Sequence, residues 1–143
     1  MKAFIYHFFI TMKGMKIMKG REFSDVSTKV IGCAIEVHRT LGPGLLESTY
    51  LNCLAHELNI NQIEFKTEYP LPVQYKGIHL DCGYKLDLLI ENQIILELKS
   101  VDQLKSIHEA QLLTYMKLMN IKQGFLINFN VKLLKQGLRS FVL

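Results

Sequence analysis

Cysteines are few in this sequence, and no two of them form a short motif. The three thiols, Cys33, Cys53 and Cys82, make no C-x-x-C pair and leave an odd number. Neither a disulfide framework nor a cysteine zinc site is therefore indicated. We expect a protein of a reducing cytoplasm.

Several catalytic and targeting signatures are also missing. There is no His-Glu-x-x-His and no Gly-x-Ser-x-Gly, which removes the usual zinc protease and acyl-transfer interpretations. Gly42-Pro43-Gly44 is not a phosphate-binding loop, because no strand precedes it and no Gly-Lys-Ser/Thr follows. The apolar run at residues 1–10 is too short to span a membrane, and no small-x-small cleavage site follows it. No membrane association is expected.

Positive charge is concentrated at the N-terminus. The net charge of +4 equals the excess of five basic residues over Glu22 within residues 1–22. We interpret residues 1–22 as a weakly structured extension and residues 23–143 as a single domain. Inside the domain, lysines outnumber acids from Lys99 onward. This bias suits a phosphate-rich partner, and it equally fits lysines that merely solvate the surface.

Helical and strand periodicities alternate along the domain. Apolar spacing predicts helices over about 24–41, 45–58 and 106–119, with Ser24 as the first cap and Ser106 to Glu109 as a capping box for the third. Extended patterns fall at 63–69, 71–75, 85–90, 94–99, 124–129 and 138–143. This order predicts an α/β sandwich around a mixed sheet, whose 63–75 segments are edge or bulged strands because they contain prolines.

The stretch from residue 85 to residue 99 predicts a β-hairpin with a unique register. Because strand side chains alternate between faces, its apolar sets meet only in one pairing: Ile90 with Ile94, Leu88 with Leu96, and Leu86 with Leu98. That register makes residues 91–93 the loop. It places Asp87 opposite Glu97, with Cβ atoms roughly 5 Å apart, and Lys99 on the same face.

Two facing carboxylates repel each other, and a cation between them relieves the repulsion. The hairpin could therefore bind a divalent metal and activate a water. The alternative is a half-exposed hairpin with ordinary surface charges. Asp followed by Glu-x-Lys is common by chance, so the hairpin alone favours that alternative.

Polar residues on the helices offer support for such a site. Gln111 and Tyr115 share one helix face, where a glutamine can orient a carboxylate, a water or a phosphate and a tyrosine can contact a base or phosphate. The alternative is a helix flank whose tyrosine reaches solvent. Glu47 and Tyr50 begin the second helix, and His38 lies near the end of the first. The helix dipole alone would favour Glu47 and His38 at these positions.

Together these residues resemble a known superfamily. Asp87, followed by Glu97-Leu98-Lys99 on the next strand, resembles the PD-(D/E)xK nuclease signature. Gln111-Leu-Leu-Thr-Tyr115 is similar to the Gln-x-x-x-Tyr motif of that superfamily's exonuclease branch. A third motif, in the second predicted helix, accompanies these two, and three motifs in the right order are much more specific than any single one.

The third motif is Gly44-Leu-Leu-Glu47-Ser-Thr-Tyr50, which is similar to the motif that names the GxxExxY protein family, a PD-(D/E)xK-like group. The likeness runs from about Val26 to the C-terminus. Leu86 stands where the nuclease signature would have proline, a variable position that carries no chemistry.

The resemblance implies a restriction-endonuclease-like core, a mixed central β-sheet flanked by helices. It implies Mg²⁺, or Mn²⁺, bound by Asp87 and Glu97 with the Leu98 carbonyl as a third ligand, and Lys99 positioning the attacking water. Glu47 corresponds to a further acidic ligand from the first core helix. The supporting or substrate-binding residues are Gln111, Tyr115, Tyr50 and His38.

The expected function is a metal-dependent nuclease that hydrolyses phosphodiester bonds in DNA or RNA. One alternative is a non-catalytic module that binds nucleic acid or protein and retains the nuclease fold. Another is a metal-dependent hydrolase of a small phosphorylated molecule. Nucleic acid is the expected partner, and a homodimer or a protein partner stays open.

Overall fold

The computed structural model describes residues 24–143 throughout and, before them, the backbone of three short strands. In chain order the elements are β1 Phe4–His7, β2 Phe9–Thr11, β3 Gly14–Lys16, α1 Asp25–Leu41, α2 Glu47–Ile60, β4 Phe65–Tyr75, β5 Ile78–Ile90, β6 Ile94–Lys99, α3 Ser106–Met119, β7 Gln123–Asn128, α4 Leu134–Gly137 and β8 Leu138–Val142. The three long helices and most strands of residues 24–143 therefore fall close to where their periodicities predicted them. Strand β5 begins at Ile78, seven residues before its predicted start, and the short helix α4 was not predicted.

The central sheet is mixed. Within residues 24–143 its order is β8-β7-β6-β5-β4, and β1 pairs with β8 at the outer edge. Strands β4, β5 and β6 form an antiparallel meander, whereas β6 and β7 run parallel and are connected through α3. A parallel pair needs such a crossover because its strands start at the same end of the sheet. The predicted α/β architecture is confirmed.

For residues 1–22, predicted to be a weakly structured extension, only the backbone of β1, β2 and β3 is described. Strand β2 pairs antiparallel with β3. The rest of that prediction lies outside the described residues. In residues 24–143, no helix is both long enough and apolar enough to cross a membrane.

Helix α1 begins and ends as its sequence predicted. The Ser24 hydroxyl accepts a hydrogen bond from the Ser27 N–H at 3.2 Å, which satisfies a donor that the first helical turn leaves free. At the other end Gly42 adopts φ 71°, a conformation that glycine tolerates, and its N–H donates to the His38 carbonyl at 2.7 Å. The Gly-Pro-Gly segment is thus the corner between α1 and α2.

The capping box predicted for α3 is wrong by one residue. The cap is Lys105, whose N–H donates to Nδ1 of His108 at 3.0 Å, and Ser106 is already helical. Glu109, the expected capping carboxylate, pairs instead with Arg139 of β8 at 3.1 Å. Glu109 therefore forms an ion pair with a distant strand instead of the predicted capping interaction. At the C-terminal end Asn120 takes the left-handed conformation, as a helix-ending asparagine commonly does.

The core is divided by the sheet into two clusters. One lies against α1 and α2 and includes Ile31, Tyr50, Leu88, Leu96 and Phe129. The other lies against α3 and includes Leu71, Leu89, Ile95, Leu112 and Met116. Because both faces of β6 are buried, its side chains from Ile94 to Leu98 are almost entirely covered.

The predicted hairpin register is confirmed. Ile90 pairs with Ile94 and Leu88 with Leu96. Glu91 and Asn92 have positive φ values of 48° and 54° in the loop. The prediction for Leu86 is wrong, however, since Leu86 packs with Leu89 and Ile95 in the cluster facing α3. The β5–β6 ladder stops at the Leu88 pair, so the regular alternation no longer applies beyond it.

Strands β4 and β5 extend past the sheet as a two-stranded arm. The two short segments predicted at 63–75 form one edge strand, with an irregularity between Leu71 and Val73 and a positive φ of 47° at Glu68. Pro70 is tolerated because this strand lies at the sheet edge. The edge and bulged character predicted from the prolines is confirmed.

Candidate active site

Asp87 and Glu97 face each other where β5 and β6 separate. The N–H of Asp87 donates to Oε1 of Glu97 at 3.2 Å, and the N–H of Leu98 donates to Oδ2 of Asp87 at 2.8 Å. Each carboxylate thus accepts a hydrogen bond from the opposite strand's main chain. Beyond the last backbone pair, Leu88 with Leu96, side chains replace main-chain carbonyls as acceptors.

The environment of this pair opposes negative charge. Glu97 is 4% exposed and Asp87 is partly buried. Burial, followed by the charge of Asp87, raises the pKa of Glu97 to about 8. Burial also raises the pKa of Asp87, although the Leu98 N–H and the charge of Lys99 act in the opposite direction. A cation beside the two carboxyl groups would favour their ionised forms.

Lys99 is connected to α3 through a short series of hydrogen bonds. Its Nζ donates to Oε1 of Gln111 at 3.4 Å, and Nε2 of Gln111 donates to the Tyr115 hydroxyl at 3.0 Å. Burial raises the pKa of Tyr115, and the nearby charge of Glu97 adds to that increase. The structure therefore brings the Gln-x-x-x-Tyr pair to the same face of the sheet as the two carboxylates.

Glu47 approaches the site from the other side of the sheet. It is the first residue of α2, exposed, and its carboxylate accepts a hydrogen bond from the Ser100 N–H at 3.4 Å. The Ser100 hydroxyl also donates to the Leu45 carbonyl at 2.6 Å, so the segment preceding α2 is joined to the end of β6. The charge of Glu47 also contributes to the raised pKa of Asp87.

Tyr50 lies in the core and does not reach the carboxylates. Its hydroxyl donates to the Gly42 carbonyl at 2.6 Å and accepts from the Leu45 N–H at 3.2 Å. Its ring stacks on Phe129, with centroids 4.4 Å apart and planes at 12°. These contacts stabilise the corner between α1 and α2, which directly precedes Glu47.

His38 is likewise engaged elsewhere. Its Nε2 is 2.8 Å from the Val131 carbonyl, and its ring packs 6.3 Å from that of Phe129. The carbonyl it contacts belongs to the loop after β7 rather than to the end of its own helix. His38 therefore joins α1 to that loop, outside the group around Asp87.

Carboxylate oxygens are the ligands that Mg²⁺ and Mn²⁺ prefer, and the paired acids fit such an ion. In the part of the chain that the structure describes, no three His, Cys, Asp or Glu side chains are grouped tightly enough to hold a metal by themselves. Asp87 and Glu97 would thus need main-chain or water oxygens to complete the shell, as is usual for Mg²⁺.

Two residues near the site were not identified from the sequence. Asn128 accepts from the Val101 N–H at 3.1 Å and donates to the Val101 carbonyl at 2.9 Å, which fixes the chain just after Lys99. Its position at the end of a buried strand was the available signal. Tyr84 of β5 lies with its ring 6.3 Å from the ring of Tyr115. The side chains of β5 do not alternate regularly between the two faces of the sheet, so no sequence pattern indicated this contact.

The fold and the paired acids define a restriction-endonuclease-like α/β protein. The family model of the PD-(D/E)XK nuclease superfamily matches residues 24–141, so the chain belongs to that superfamily. No curated protein and no solved structure matches the chain. The resemblance to the superfamily is confirmed, whereas the narrower assignment to the GxxExxY family stays a prediction.

Proposed function

We propose that the protein is a metal-dependent nuclease that hydrolyses phosphodiester bonds in DNA or RNA. The chain belongs to a superfamily described as nucleases, and this suggests a hydrolase that acts on nucleic acid. The main support from the geometry is the reciprocal anchoring of Asp87 and Glu97 at the end of a buried strand pair. A surface hairpin with incidental charges would leave its carboxylates in water rather than bury one of them.

In this proposal the metal ligands are Asp87, Glu97 and the Leu98 carbonyl. Glu47 is the further acidic residue, and because it is not grouped tightly with the other two acids it would reach the ion through a bound water. The hydrogen bond from the Leu98 N–H to Asp87 keeps this stretch of main chain against the carboxylates. A bound Mg²⁺ or Mn²⁺ would supply polarisation of the scissile phosphate and a lower pKa of the attacking water.

Lys99 acts on the attacking water and on the phosphate. Its ammonium orients the water and stabilises the negative charge that grows on the phosphate oxygens in the transition state. Gln111 restrains the Lys99 side chain, and Tyr115 in turn restrains Gln111. The four-carbon side chain of lysine is flexible, so such a restraint fixes the position of the Lys99 ammonium more precisely.

The test compares wild type with Asp87→Asn and Lys99→Met on labelled single-stranded and duplex DNA and RNA, in Mg²⁺, Mn²⁺ or chelator. We expect cleavage by wild type with either metal, none in chelator, and a loss of about 100-fold or more in each variant. Matched controls are Glu91→Gln, a carboxylate in the loop of the same hairpin, and Lys117→Met, an exposed lysine on α3. Both should retain wild-type rates.

Cleavage that persists in Asp87→Asn and Lys99→Met would identify a contaminating enzyme and contradict the proposal. Tight binding by folded wild type without cleavage in either metal would favour the non-catalytic module instead. Isothermal titration of Mn²⁺ into wild type and Asp87→Asn gives an independent readout of the metal site. Equal Mn²⁺ affinity in the two proteins would remove Asp87 from the ligand set.

A further inference from the structure

Tyr84 presents a half-exposed aromatic ring at the margin of the candidate active site. Its side chain is 48% exposed, and its ring centroid lies 6.3 Å from that of Tyr115 at an angle of 56°. It precedes Asp87 by three residues on β5. It belongs to none of the motifs described above.

The base of the Tyr84 side chain is anchored, while its ring stays accessible. Tyr84 pairs across the arm with Leu71, which is 2% exposed and packs in the core cluster facing α3. Tyr115, 7% exposed, belongs to the same cluster. The exposed ring therefore lies beside the buried ring of Tyr115, a member of that cluster.

A continuous series of contacts joins this ring to the catalytic groups. Tyr84 contacts Tyr115, the Tyr115 hydroxyl accepts from Gln111, and Gln111 accepts from Lys99. The charge of Glu97 also reaches Tyr115, since it contributes to the raised pKa of that hydroxyl. A ligand that lies on Tyr84 would thus lie next to the Tyr115, Gln111 and Lys99 series that leads into the candidate active site.

An accessible aromatic face beside a phosphodiester-cleaving site suits one kind of ligand group in particular. Nucleobases stack on tyrosine rings through their flat faces, which every base offers. Inside a duplex both faces of each base are covered by neighbouring base pairs, so stacking on protein requires an unpaired base. An accessible ring at this position would therefore favour single-stranded over fully paired nucleic acid.

We propose that Tyr84 stacks on an unpaired nucleobase of a strand whose phosphate lies at Asp87 and Glu97. The substrate class is then single-stranded nucleic acid, including unpaired ends. This inference rests on the proposed nuclease function, because it places the phosphate at that site. It assigns to Tyr84 a role in binding the substrate rather than in moving protons.

The same arm provides a matched control. Tyr75 is 58% exposed and sits at the turn of the arm, where it pairs with Ile78. Tyr84 lies six positions after Ile78 along β5, about 20 Å away in an extended strand. Tyr75 therefore offers the same side chain on the same arm, but away from the carboxylates.

The experiment measures binding of fluorescein-labelled 12-nucleotide single strands, DNA and RNA, and of the matching duplexes, by anisotropy in chelator. Loss of one base stack should weaken single-strand binding by Tyr84→Ala about 5- to 100-fold. Tyr84→Phe should stay within about twofold of wild type because it keeps the aromatic face. Duplex binding by Tyr84→Ala and single-strand binding by Tyr75→Ala should not change.

A strand with 2-aminopurine in place of one base gives a second readout. Stacking on Tyr84 should quench its emission in wild type and Tyr84→Phe but not in Tyr84→Leu, which keeps an apolar contact without an aromatic face. In Mg²⁺, Tyr84→Leu should raise KM for single strands more than it lowers kcat. Melting curves of all variants establish that each is folded.

The inference is overturned if Tyr84→Leu binds single strands like wild type, or if it weakens duplex and single-strand binding equally. It is also overturned if folded wild type does not bind single strands.

Failure of the nuclease function is a different result. Wild type would then cleave nothing with either metal, while Tyr84→Leu would still selectively weaken single-strand binding. Cleavage with unaltered binding by Tyr84→Leu would retain the nuclease and reject the stacking role.

Discussion

Asp87 and Glu97 are each anchored by the other's strand: Glu97 Oε1 accepts from the Asp87 N–H at 3.2 Å, and Asp87 Oδ2 accepts from the N–H of Leu98 at 2.8 Å. This exchange fixes both acids to the backbone just past the end of the regular ladder. The separation of the two carboxyl groups therefore depends on the hairpin register. A shift of one residue would place them on opposite faces.

Glu97→Gln should stabilise the metal-free protein while abolishing metal-dependent cleavage. The amide keeps an oxygen that can accept from the Asp87 N–H, but it removes a buried charge beside a second carboxylate. We expect the free energy of unfolding to rise by about 3–5 kcal/mol in chelator at pH 8. Urea denaturation measures this change, and Glu91→Gln in the loop is the control. A destabilised Glu97→Gln would contradict the assigned repulsion.

The metal-free wild type should lose stability as the pH rises from about 4.5 to 8. The pKa of Glu97 is raised to about 8 from its ordinary value of 4.5, so the folded state holds this proton more tightly than the unfolded chain does. Stability from the protonated form is complete below the unfolded pKa and is lost as the pH approaches 8. The expected loss is about 3–5 kcal/mol, since each pKa unit corresponds to about 1.4 kcal/mol.

Glu97→Gln should largely flatten this pH dependence, and saturating Mn²⁺ should reduce it in wild type by favouring the ionised carboxyl groups. Urea denaturation at a series of pH values, in chelator and in Mn²⁺, provides the measurement. An equal slope in wild type and Glu97→Gln would show that other groups cause the pH dependence.

Gln111→Leu should reduce catalysis more than it reduces stability. The leucine removes the acceptor of Lys99 Nζ and the donor to Tyr115, yet it fills a similar volume at a partly buried position. Supporting residues of this kind typically affect activity by about 10- to 100-fold. Single-turnover rates at saturating metal measure the effect. Thr114→Ala, at an exposed position of the same helix, should behave like wild type.

Tyr50→Phe should destabilise the fold by about 1–2 kcal/mol because it removes two hydrogen bonds in the core. The lost partners are the Gly42 carbonyl and the Leu45 N–H, whereas stacking on Phe129 is kept. Cleavage by the folded variant should stay within about tenfold of wild type. The much larger loss typical of a catalytic group, with unchanged stability, would instead place the hydroxyl at the chemistry. Tyr75→Phe on the exposed arm is the control for both measurements.

The hairpin register followed from the sequence because side-chain alternation and loop length are local properties. Leu88, Ile90, Ile94 and Leu96 permit one pairing, and that pairing occurs. The corner at Gly42 was likewise predictable, since its positive φ suits glycine. Both features depend on residues close together in the chain, so they can be predicted from the sequence without knowledge of the packing.

Other features depended on distant partners and could not be predicted. The cap of α3 is Lys105 rather than the predicted Ser106, and Glu109 pairs with Arg139, thirty positions later in the sequence. Leu86 lies on the face opposite to the predicted one, just beyond the last pair of the β5–β6 ladder. Both features involve contacts between elements, which local preference does not encode.

The sequence by itself determined the pairing of Leu88 with Leu96, which brings Asp87 and Glu97 together at the end of the ladder, because alternation along two short strands is set by backbone geometry. It also determined the superfamily resemblance through the order of its motifs. Only the tertiary structure decided that α2 and α3 bring Glu47 and Gln111 to opposite sides of that strand pair, and that Tyr50 and His38 are occupied in the core. The position of Tyr84 beside Tyr115 was decided in the same way. Contacts between elements depend on how helices pack on the sheet, which no local pattern encodes.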